Sequence, residues 1–417
     1  MALLDMSNAV VWDAALRNPN AFVLAGTSRT AAAPYDFPVN LRWSGGHFFS
    51  QANSRLGRRM RVRGVFAFPG WRSDQFLSEA NIQAMIATDA KWVIIDGVVN
   101  DVGADAAPDY FNLIYKPACE RFIAAGMTPI LLTEPGQTGL ALNPVAVAAW
   151  HRFNSHLYDY RSRSYGSVLV FDVAALLLDL TSTTMAFKAG YSSDGTHFTK
   201  VAPAVVLGKA FAAMMSPLVP PVPSRKVSGG EKPELGIQGF PNPGFLVTSG
   251  GNAGGASGTA PAGVDDVWVG TGAGSVTIGT AANADGSNDL TLAINATQAG
   301  EVTVPVAIPA GFDNPGDRIE VFAQAEIAGG ATGLGGVYLR VEEQRGGVSA
   351  DYRDLVVDGN MGAMPANPAA ETLDFWCPVT FRSGVRNFFY GGIAAYMVGA
   401  GTANIRLRHL AADKRPL

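Results

Sequence analysis

Residues 22–31 read FVLAGTSRTA, an apolar run that ends at Gly26, two residues before Ser28. The run is typical of a buried β-strand, and catalytic groups collect at the carboxyl ends of parallel strands. Backbone N–H groups at such a turn also stabilise negative charge. Ser28 is therefore either a nucleophile or merely the cap of a following helix, and this stretch alone favours neither interpretation.

Outward from this stretch, residues from about 20 to 216 alternate between apolar runs and segments of helical period, for example HFFSQANSRLGRR. The apolar runs predict strands and are AFVLAG (21–26), RVRGVFAF (61–68), KWVIIDGV (91–98), TPILLT (128–133) and SVLVFD (167–172). The last predicted helix spans about 200–216, with Thr199 as its N-cap. Strands that are apolar on both faces and alternate with helices predict an α/β domain whose parallel sheet is covered on both sides.

The pattern changes after SPLVPPVPSRKVSGGEKPELG, a Pro- and Gly-rich stretch that is typical of a linker. Short alternating runs such as NDLTLAIN, EVTVPVAI and RIEVFAQAEI then follow one another, separated by Gly, Asn, Asp and Pro. This pattern predicts an all-β sandwich. We therefore predict an α/β domain over 1–218, a linker over 219–236 and a β-sandwich domain over 237–417.

Three further segments place polar or flexible residues where a predicted strand ends or a helix begins. VFAFPGWRSD contains Gly70, whose bare N–H can approach a ligand closely, and VIIDGVVND contains Asn100, whose amide can donate to an oxyanion. SDGTHF places Asp194 three residues before His197. Each segment alone is compatible with an ordinary turn or cap. Together with Ser28 they supply a nucleophile, a backbone donor, an amide donor and an acid with a base.

With these four segments in this order, residues 20–216 resemble the SGNH hydrolases of the GDSL esterase superfamily. The resemblance implies a flavodoxin-like three-layer sandwich with a parallel sheet. It departs from the family at Thr27, where the first block usually has Asp, and in the third block, where an extra residue separates Gly97 from Asn100. The G-x-S-x-G elbow of α/β-hydrolases is absent around Ser28.

The resemblance also implies a role for each residue. Ser28 is the nucleophile, His197 the base and acid, and Asp194 the group that orients the imidazole. The oxyanion hole is formed by Ser28, Gly70 and Asn100, and the reaction needs no metal or organic cofactor. Arg29 and Trp71 flank these residues and are candidates for substrate binding.

The second half is only loosely similar to jelly-roll carbohydrate-binding modules, in its first residues GFPNPGFLVTSGG. Such a domain binds polysaccharide, assembles subunits into a homo-oligomer or shields the catalytic domain, and fold alone does not decide. The function predicted from the whole chain is a serine esterase that removes short acyl groups, O-acetyl above all, from a polysaccharide. The alternatives are a general short-chain carboxylesterase or lipase acting on a small ester, and a non-catalytic adhesin or virus tail protein.

The composition of the chain limits the kinds of partner that it is expected to bind. The 417 residues carry a net charge of −4, and a protein that binds nucleic acid or an anionic membrane usually shows a basic stripe instead. The two cysteines, Cys119 and Cys377, are too far apart in sequence for a disulfide framework and are expected to be buried. We predict no transmembrane segment and no metal site. We see no signal peptide, since residues 1–20 predict a short amphipathic helix. The sequence leaves the localisation open between the cytoplasm and the exterior, the latter as part of a virion or as an otherwise exported component.

Overall fold

The computed structural model describes residues 17–33, 42–222, 240, 242, 244–270, 274–308, 318–357, 359–380 and 384–415. These residues form two compact units. The α/β unit contains residues 17–33 and 59–221, and the β unit contains residues 42–58 and the described residues from 222 onward. Residues 1–16 of the predicted N-terminal helix and most of the predicted linker lie outside the described residues. Residues 18–20, which the prediction placed in that helix, belong to a β-strand instead.

The helices that the structure describes all begin before residue 202, and they are α1 Ser28–Ala31, α2 Phe48–Arg55, α3 Ser73–Phe76, α4 Glu79–Ile86, α5 Val99–Ala104, α6 Lys116–Ala124, α7 Pro144–Arg163, α8 Val173–Leu177 and α9 Val201–Met215. A π-helical turn, Phe111–Tyr115, precedes α6, and two 3-10 turns are Thr138–Leu140 and Gly359–Met361. The strands are β1 Asn18–Gly26, β2 Arg42–Ser44, β3 Arg61–Ala67, β4 Ala90–Ile95, β5 Thr128–Leu132, β6 Leu169–Phe171, β7 Ser257–Gly258, β8 Trp268–Val269, β9 Ser275–Ala282, β10 Asn288–Ala296, β11 Gly300–Ala307, β12 Arg318–Ile327, β13 Leu334–Arg345, β14 Val348–Val356, β15 Glu371–Thr380, β16 Arg386–Met397 and β17 Gly401–Arg415.

The α/β unit is built on a five-stranded parallel sheet of order β3-β1-β4-β5-β6. Within this unit that order is 2-1-3-4-5, the flavodoxin-like arrangement. The carboxyl end of β1 lies between its neighbours, since Gly26 pairs with Ala67 of β3 and Ala25 pairs with Ile95 of β4. Chain segments that leave these three strands therefore emerge at one edge of the sheet, and the predicted fold class is confirmed.

Helices cover both faces of this sheet. Val23 of β1 packs into a buried cluster that includes Trp150 and Phe153 of α7. On the opposite face, Phe171 of β6 contacts Phe211 of α9, with ring centroids 5.0 Å apart. Because neighbouring residues of each strand are buried on opposite sides, the strands read as continuous apolar runs in the sequence.

The start of α9 differs from the prediction by one residue. Lys200 occupies the N-cap position, with extended φ and ψ of −76° and 155°, and the predicted cap Thr199 lies before it. Pro203 explains the difference. With Lys200 as the cap, Pro203 is the third helical residue, whose N–H has no partner within a helix. With Thr199 as the cap, Pro203 would be the fourth residue, and its missing N–H would remove an intrahelical hydrogen bond.

Residues 42–58, which the predicted boundaries assign to the first domain, belong to the β unit. Strand β2 pairs with β14 in parallel, and Ser54 of α2 donates a hydrogen bond of 2.7 Å to the carbonyl of Asp374. Arg58 donates to the same carbonyl and forms a buried ion pair of 2.6 Å with Asp354. The helical period of this segment predicted α2 itself, but periodicity does not reveal which core a helix packs against.

The β unit consists of two six-stranded sheets. Their orders are β15-β12-β17-β10-β9-β7 and β2-β14-β13-β16-β11-β8. The pairs are antiparallel except β7 with β9 and β2 with β14. Along β13, Leu339, Val341 and Glu343 are buried while Arg340 and Glu342 are partly exposed, which gives one face to the core and one to solvent. The predicted β-sandwich is confirmed.

Candidate active site

Ser28 lies at the carboxyl end of β1, as the first residue of α1. Thr27 is the N-cap of that helix and is fully buried. Its hydroxyl accepts a hydrogen bond from the N–H of Arg29 and donates one of 2.8 Å to the carboxylate of Asp96. At position 27 the family usually has a carboxylate, and this chain has a hydroxyl instead. That hydroxyl binds the carboxylate of Asp96, which directly follows β4, and so holds Ser28 at the turn.

The structure brings Ser28, His197 and Asp194 into one hydrogen-bonded chain. Ser28 Oγ lies 2.6 Å from His197 Nε2, and His197 Nδ1 lies 2.6 Å from Asp194 Oδ2. The other carboxylate oxygen of Asp194 accepts hydrogen bonds from the backbone N–H groups of Thr196 and His197, at 2.9 and 2.8 Å. This geometry orients the imidazole with one nitrogen on the serine and the other on the carboxylate.

The local electrostatics keep Asp194 ionised. Partial burial acts to raise the pKa of this carboxyl, but the hydrogen bonds from the backbone and the ring of His197 outweigh it and hold the pKa well below its usual range. The side chains of Asp194 and His197 remain 52% and 33% exposed, so a substrate and water can reach them.

Consecutive carbonyls of the SDGTHF loop are each held by a hydrogen bond. Gly195 accepts from the N–H of Thr138 at 2.7 Å, Thr196 from Nε of Arg29 at 2.9 Å, and His197 from the hydroxyl of Ser192 at 2.8 Å. Gly195 has φ of +75°, and a Cβ on it would lie 2.5 Å from Cβ of Thr138. Only glycine fits this left-handed, crowded position, so the loop that carries His197 is fixed by its neighbours.

Arg29 does not face a substrate, contrary to its predicted role. The side chain is buried and forms an ion pair of 2.7 Å with Glu134, and it also donates to the carbonyl of Gly136 at 2.6 Å. Its guanidinium lies over the ring of Phe198, 5.3 Å from the centroid. All three guanidinium nitrogens of Arg29 donate hydrogen bonds inside the α/β unit. Arg29 is therefore a positioning residue for the loop that carries His197.

The segments that follow β3 and β4 carry the predicted oxyanion donors. Gly70 is exposed and has φ of +82°, and a Cβ on it would meet nothing within 4 Å. Asn100 is half-buried, and its amide donates a hydrogen bond of 2.7 Å to the carbonyl of Trp71. This bond ties the two segments together beside the exit of β1, and it uses one of the two hydrogens of the Asn100 amide.

Trp71 and Asp101 have surroundings that explain them without a substrate. Trp71 is half-buried and packs against the apolar core and against Phe68, with ring centroids 5.8 Å apart. Asp101 is buried and accepts hydrogen bonds from the N–H and the hydroxyl of Ser73. Burial raises the pKa of Asp101 to about 6, although the hydrogen bonds from Ser73 act in the opposite direction.

The sequence predictions missed two buried carboxylates, Asp96 and Glu134. Glu134 directly follows the predicted strand 128–133, and Asp96 lies inside the predicted strand 91–98, directly after the observed end of β4. Asp96 anchors Thr27, and Glu134 anchors Arg29. An acidic residue at the carboxyl end of a buried parallel strand was the available signal, because a charge there needs a partner.

No group of three or more His, Cys, Asp or Glu side chains could hold a metal ion among the described residues. Cys119 and Cys377 are free and buried, as predicted. No helix among those described is both long and apolar enough to cross a membrane.

Compared by sequence, this chain matches no protein-family model and no curated protein. Solved structures do match. A member of the lipolytic protein G-D-S-L family from Veillonella parvula is 13% identical and matches with a TM-score of 0.35, covering 47% of this chain and 98% of its own. The family 3 carbohydrate esterase of Clostridium thermocellum is 12% identical, with a TM-score of 0.35, and covers 48% of this chain and 98% of its own.

A xylan-binding domain from Paenibacillus barcinonensis also matches, at 11% identity and a TM-score of 0.27, covering 45% of this chain and all of its own. Over about half of its length, this chain is therefore similar to solved GDSL lipolytic proteins and a carbohydrate esterase.

Proposed function

We propose that the α/β unit is a serine ester hydrolase with Ser28 as its nucleophile. One observation carries the proposal: the unbroken chain of 2.6 Å hydrogen bonds from Ser28 through His197 to Asp194. A free serine hydroxyl is a weak nucleophile, and it needs an adjacent base that a third group orients. Ser28, His197 and Asp194 have the residue types and the order of contacts for those three roles.

In the first half of the reaction, Ser28 Oγ attacks the ester carbonyl while His197 Nε2 takes the hydroxyl proton. The ionised carboxylate of Asp194 stabilises the imidazolium that forms. The negative charge on the carbonyl oxygen is stabilised by the N–H groups of Ser28 and Gly70 and by the amide of Asn100. His197 then gives its proton to the leaving alcohol, the ester C–O bond breaks, and an acyl group remains on Ser28.

In the second half, water replaces the alcohol. The oxygen of a water molecule attacks the acyl carbonyl while His197 takes a proton from that water. His197 then gives the proton to Ser28 Oγ as the bond between Oγ and the acyl group breaks. The products are the free acid and the original enzyme. The partial exposure of His197 and Asp194 supports this step, because water reaches the imidazole directly.

We further propose that the substrate is a short ester, an O-acetyl group on a polysaccharide. The β unit supports the carbohydrate part of this proposal, because one of its sheets carries a groove lined by Trp268, Phe388 and Tyr390. A general short-chain carboxylesterase or a lipase would have the same catalytic chain, so the acyl and alcohol parts have to be tested separately.

Two experiments separate these candidates. Incubation with a fluorophosphonate should add one phosphonyl group to Ser28, detected by mass spectrometry of the digested protein, and Ser28→Ala should take up none. Acetate release from acetylated polysaccharides should then be compared with hydrolysis of p-nitrophenyl acetate, butyrate and octanoate. A lipase would prefer the octanoate ester, whereas a deacetylase should prefer acetate. No label and no turnover in the folded wild type would favour a non-catalytic adhesin.

A further inference from the structure

The β unit has a groove on the outer face of the sheet β2-β14-β13-β16-β11-β8. Its volume is about 530 Å³, which is in the range of small-molecule sites. The groove is lined by β8, β11, β13, β14 and β16 together with the two residues Asp265 and Asp266. All of these elements belong to the β unit, so the groove does not depend on the catalytic chain of the α/β unit.

The register of the sheet builds the floor of this groove. Arg353, Arg340, Gly392 and Pro305 are successive partners across β14, β13, β16 and β11. Side chains two residues apart on a strand point to the same face, which also brings Glu342 and Tyr390 to it. Gly392 has no side chain, so none rises from the floor between Arg340 and Pro305.

Aromatic rings form the apolar side. Phe388 and Tyr390 of β16 stack with ring centroids 5.2 Å apart and an angle of 28° between their planes. The hydroxyl of Tyr390 donates a hydrogen bond of 3.0 Å to Asp265, which fixes its ring. Trp268, on the edge strand β8, is 54% exposed although it lines the groove. An exposed indole in a groove that also holds the stacked Phe388–Tyr390 pair suits a ligand with an apolar face.

Paired charges form the other side. Arg340 lies 3.1 Å from Glu342 and 3.5 Å from Glu301, and Arg353 lies 2.6 Å from Asp351. Glu301 also accepts a hydrogen bond from the hydroxyl of Tyr338, and the side chain of Tyr338 is fully buried. These networks hold the donors and acceptors in place before any ligand binds, which reduces the ordering cost of binding.

The charge balance of the groove is acidic. Four carboxylates and two guanidinium groups line it, an excess of two negative charges. An anionic ligand such as a uronic acid chain or a phosphorylated glycan would be repelled, whereas the hydroxyl groups of a neutral sugar can both donate to the carboxylates and accept from the arginines.

We propose that this groove binds a neutral oligosaccharide segment, with sugar rings stacked on Trp268 and on the Phe388–Tyr390 pair and their hydroxyls bonded to the charged side. The rings supply apolar contact for the C–H faces of the sugars, and the fixed carboxylates and guanidinium groups select for hydroxyl-rich, uncharged ligands. The groove thereby tethers the chain to a polysaccharide and raises the local concentration of its substrate. Binding at this site is independent of hydrolysis.

The test uses the full chain with Ser28→Ala, so that hydrolysis cannot alter the ligand. This protein is applied to an array of defined neutral and anionic glycans, and the dissociation constant for the best-bound glycan is then measured by titration calorimetry. The proposal predicts binding to neutral glycans only, with Kd raised about tenfold or more by Trp268→Ala and by Tyr390→Ala. Trp268→Phe, which keeps a ring, should retain most of the affinity.

Tyr165→Ala is the matched control, since it removes an aromatic ring that is 97% exposed on the α/β unit. It should leave Kd unchanged, and thermal unfolding should show that every variant is folded. Trp268→Ala in the chain with an intact Ser28 should hydrolyse p-nitrophenyl acetate as the wild type does. The proposal is overturned if no neutral glycan binds, if anionic glycans bind better, or if the Trp268→Ala and Tyr390→Ala variants bind as tightly as their parent.

Discussion

Replacing Arg29 by methionine should remove the cation that forms an ion pair with a fully buried carboxylate. The side chains of Arg29 and Glu134 are 1% and 0% exposed, and they form an ion pair of 2.7 Å. Breaking such a pair from one side typically costs about 3–5 kcal/mol, because the remaining charge has no water to solvate it. We therefore expect Arg29→Met to lower the free energy of unfolding at pH 8 by about that amount.

The loss in the free energy of unfolding caused by Arg29→Met should depend on pH, and the structure determines whether this loss grows or shrinks as pH rises. Burial already raises the pKa of Glu134 above its usual value, and Arg29 opposes that rise. Without Arg29 the pKa of Glu134 in the folded state rises further, so the folded state binds a proton at a pH where the unfolded state does not. Stability then falls as pH increases between the two pKa values, by about 1.4 kcal/mol per pH unit. Arg29→Met should accordingly be less destabilised at pH 5 than at pH 8.

The assay is urea unfolding at pH 5 and pH 8 of the wild type, Arg29→Met, Glu134→Gln and the double variant. The double variant should be more stable than Arg29→Met at pH 8, because glutamine carries no charge. Turnover should also fall by about 10²-fold in Arg29→Met, since the carbonyl of Thr196 loses its partner next to His197. A cost below about 1 kcal/mol, an equal cost at both pH values, or no recovery in the double variant would refute the reasoning.

Three further predictions concern the site. Asp194→Asn should lower kcat at pH 8 by about 10³- to 10⁴-fold, because the lowered pKa of Asp194 keeps the wild-type carboxylate ionised and able to stabilise the imidazolium. A loss of less than about tenfold in stopped assays would contradict this. Asn100→Ala should lower kcat on p-nitrophenyl acetate by about 10²- to 10³-fold with KM nearly unchanged. A change confined to KM would contradict the assignment of Asn100 to the oxyanion hole. Asp101→Asn should gain stability relative to the wild type as pH rises from about 4 to about 6, because over that range the folded wild type keeps a proton on Asp101 that the unfolded chain has already released, so the stability of the wild type falls. Urea unfolding at about pH 4.5 and 7.5 measures this, and a constant difference between the two proteins would contradict it.

The sequence was informative where local chemistry decides the structure. Apolar runs predicted the strands of the parallel sheet, and segments of helical period between them predicted that helices cover it. The order of four short segments predicted which residues meet, and the structure brings Ser28, His197 and Asp194 into hydrogen-bond contact. Their catalytic roles stay predictions until they are tested.

The sequence was uninformative where a partner lies far along the chain. Glu134 pairs with Arg29 across 105 residues, and no local pattern links them, so Arg29 was predicted to bind substrate and its buried ion pair was not predicted. The segment 42–58 was assigned to the nearer domain because β2 is too short to show which sheet it joins. Burial, charge pairing and sheet membership depend on the tertiary structure, which periodicity does not encode.

The most direct test of the central claim is the rate of p-nitrophenyl acetate hydrolysis by the wild type and by Ser28→Ala, with folding checked by circular dichroism. The account predicts clear turnover by the wild type and a loss of about 10⁴-fold or more in the folded variant. Turnover that survives in Ser28→Ala would mean that another group is the nucleophile, and no turnover by the folded wild type on any acyl ester would contradict the esterase itself.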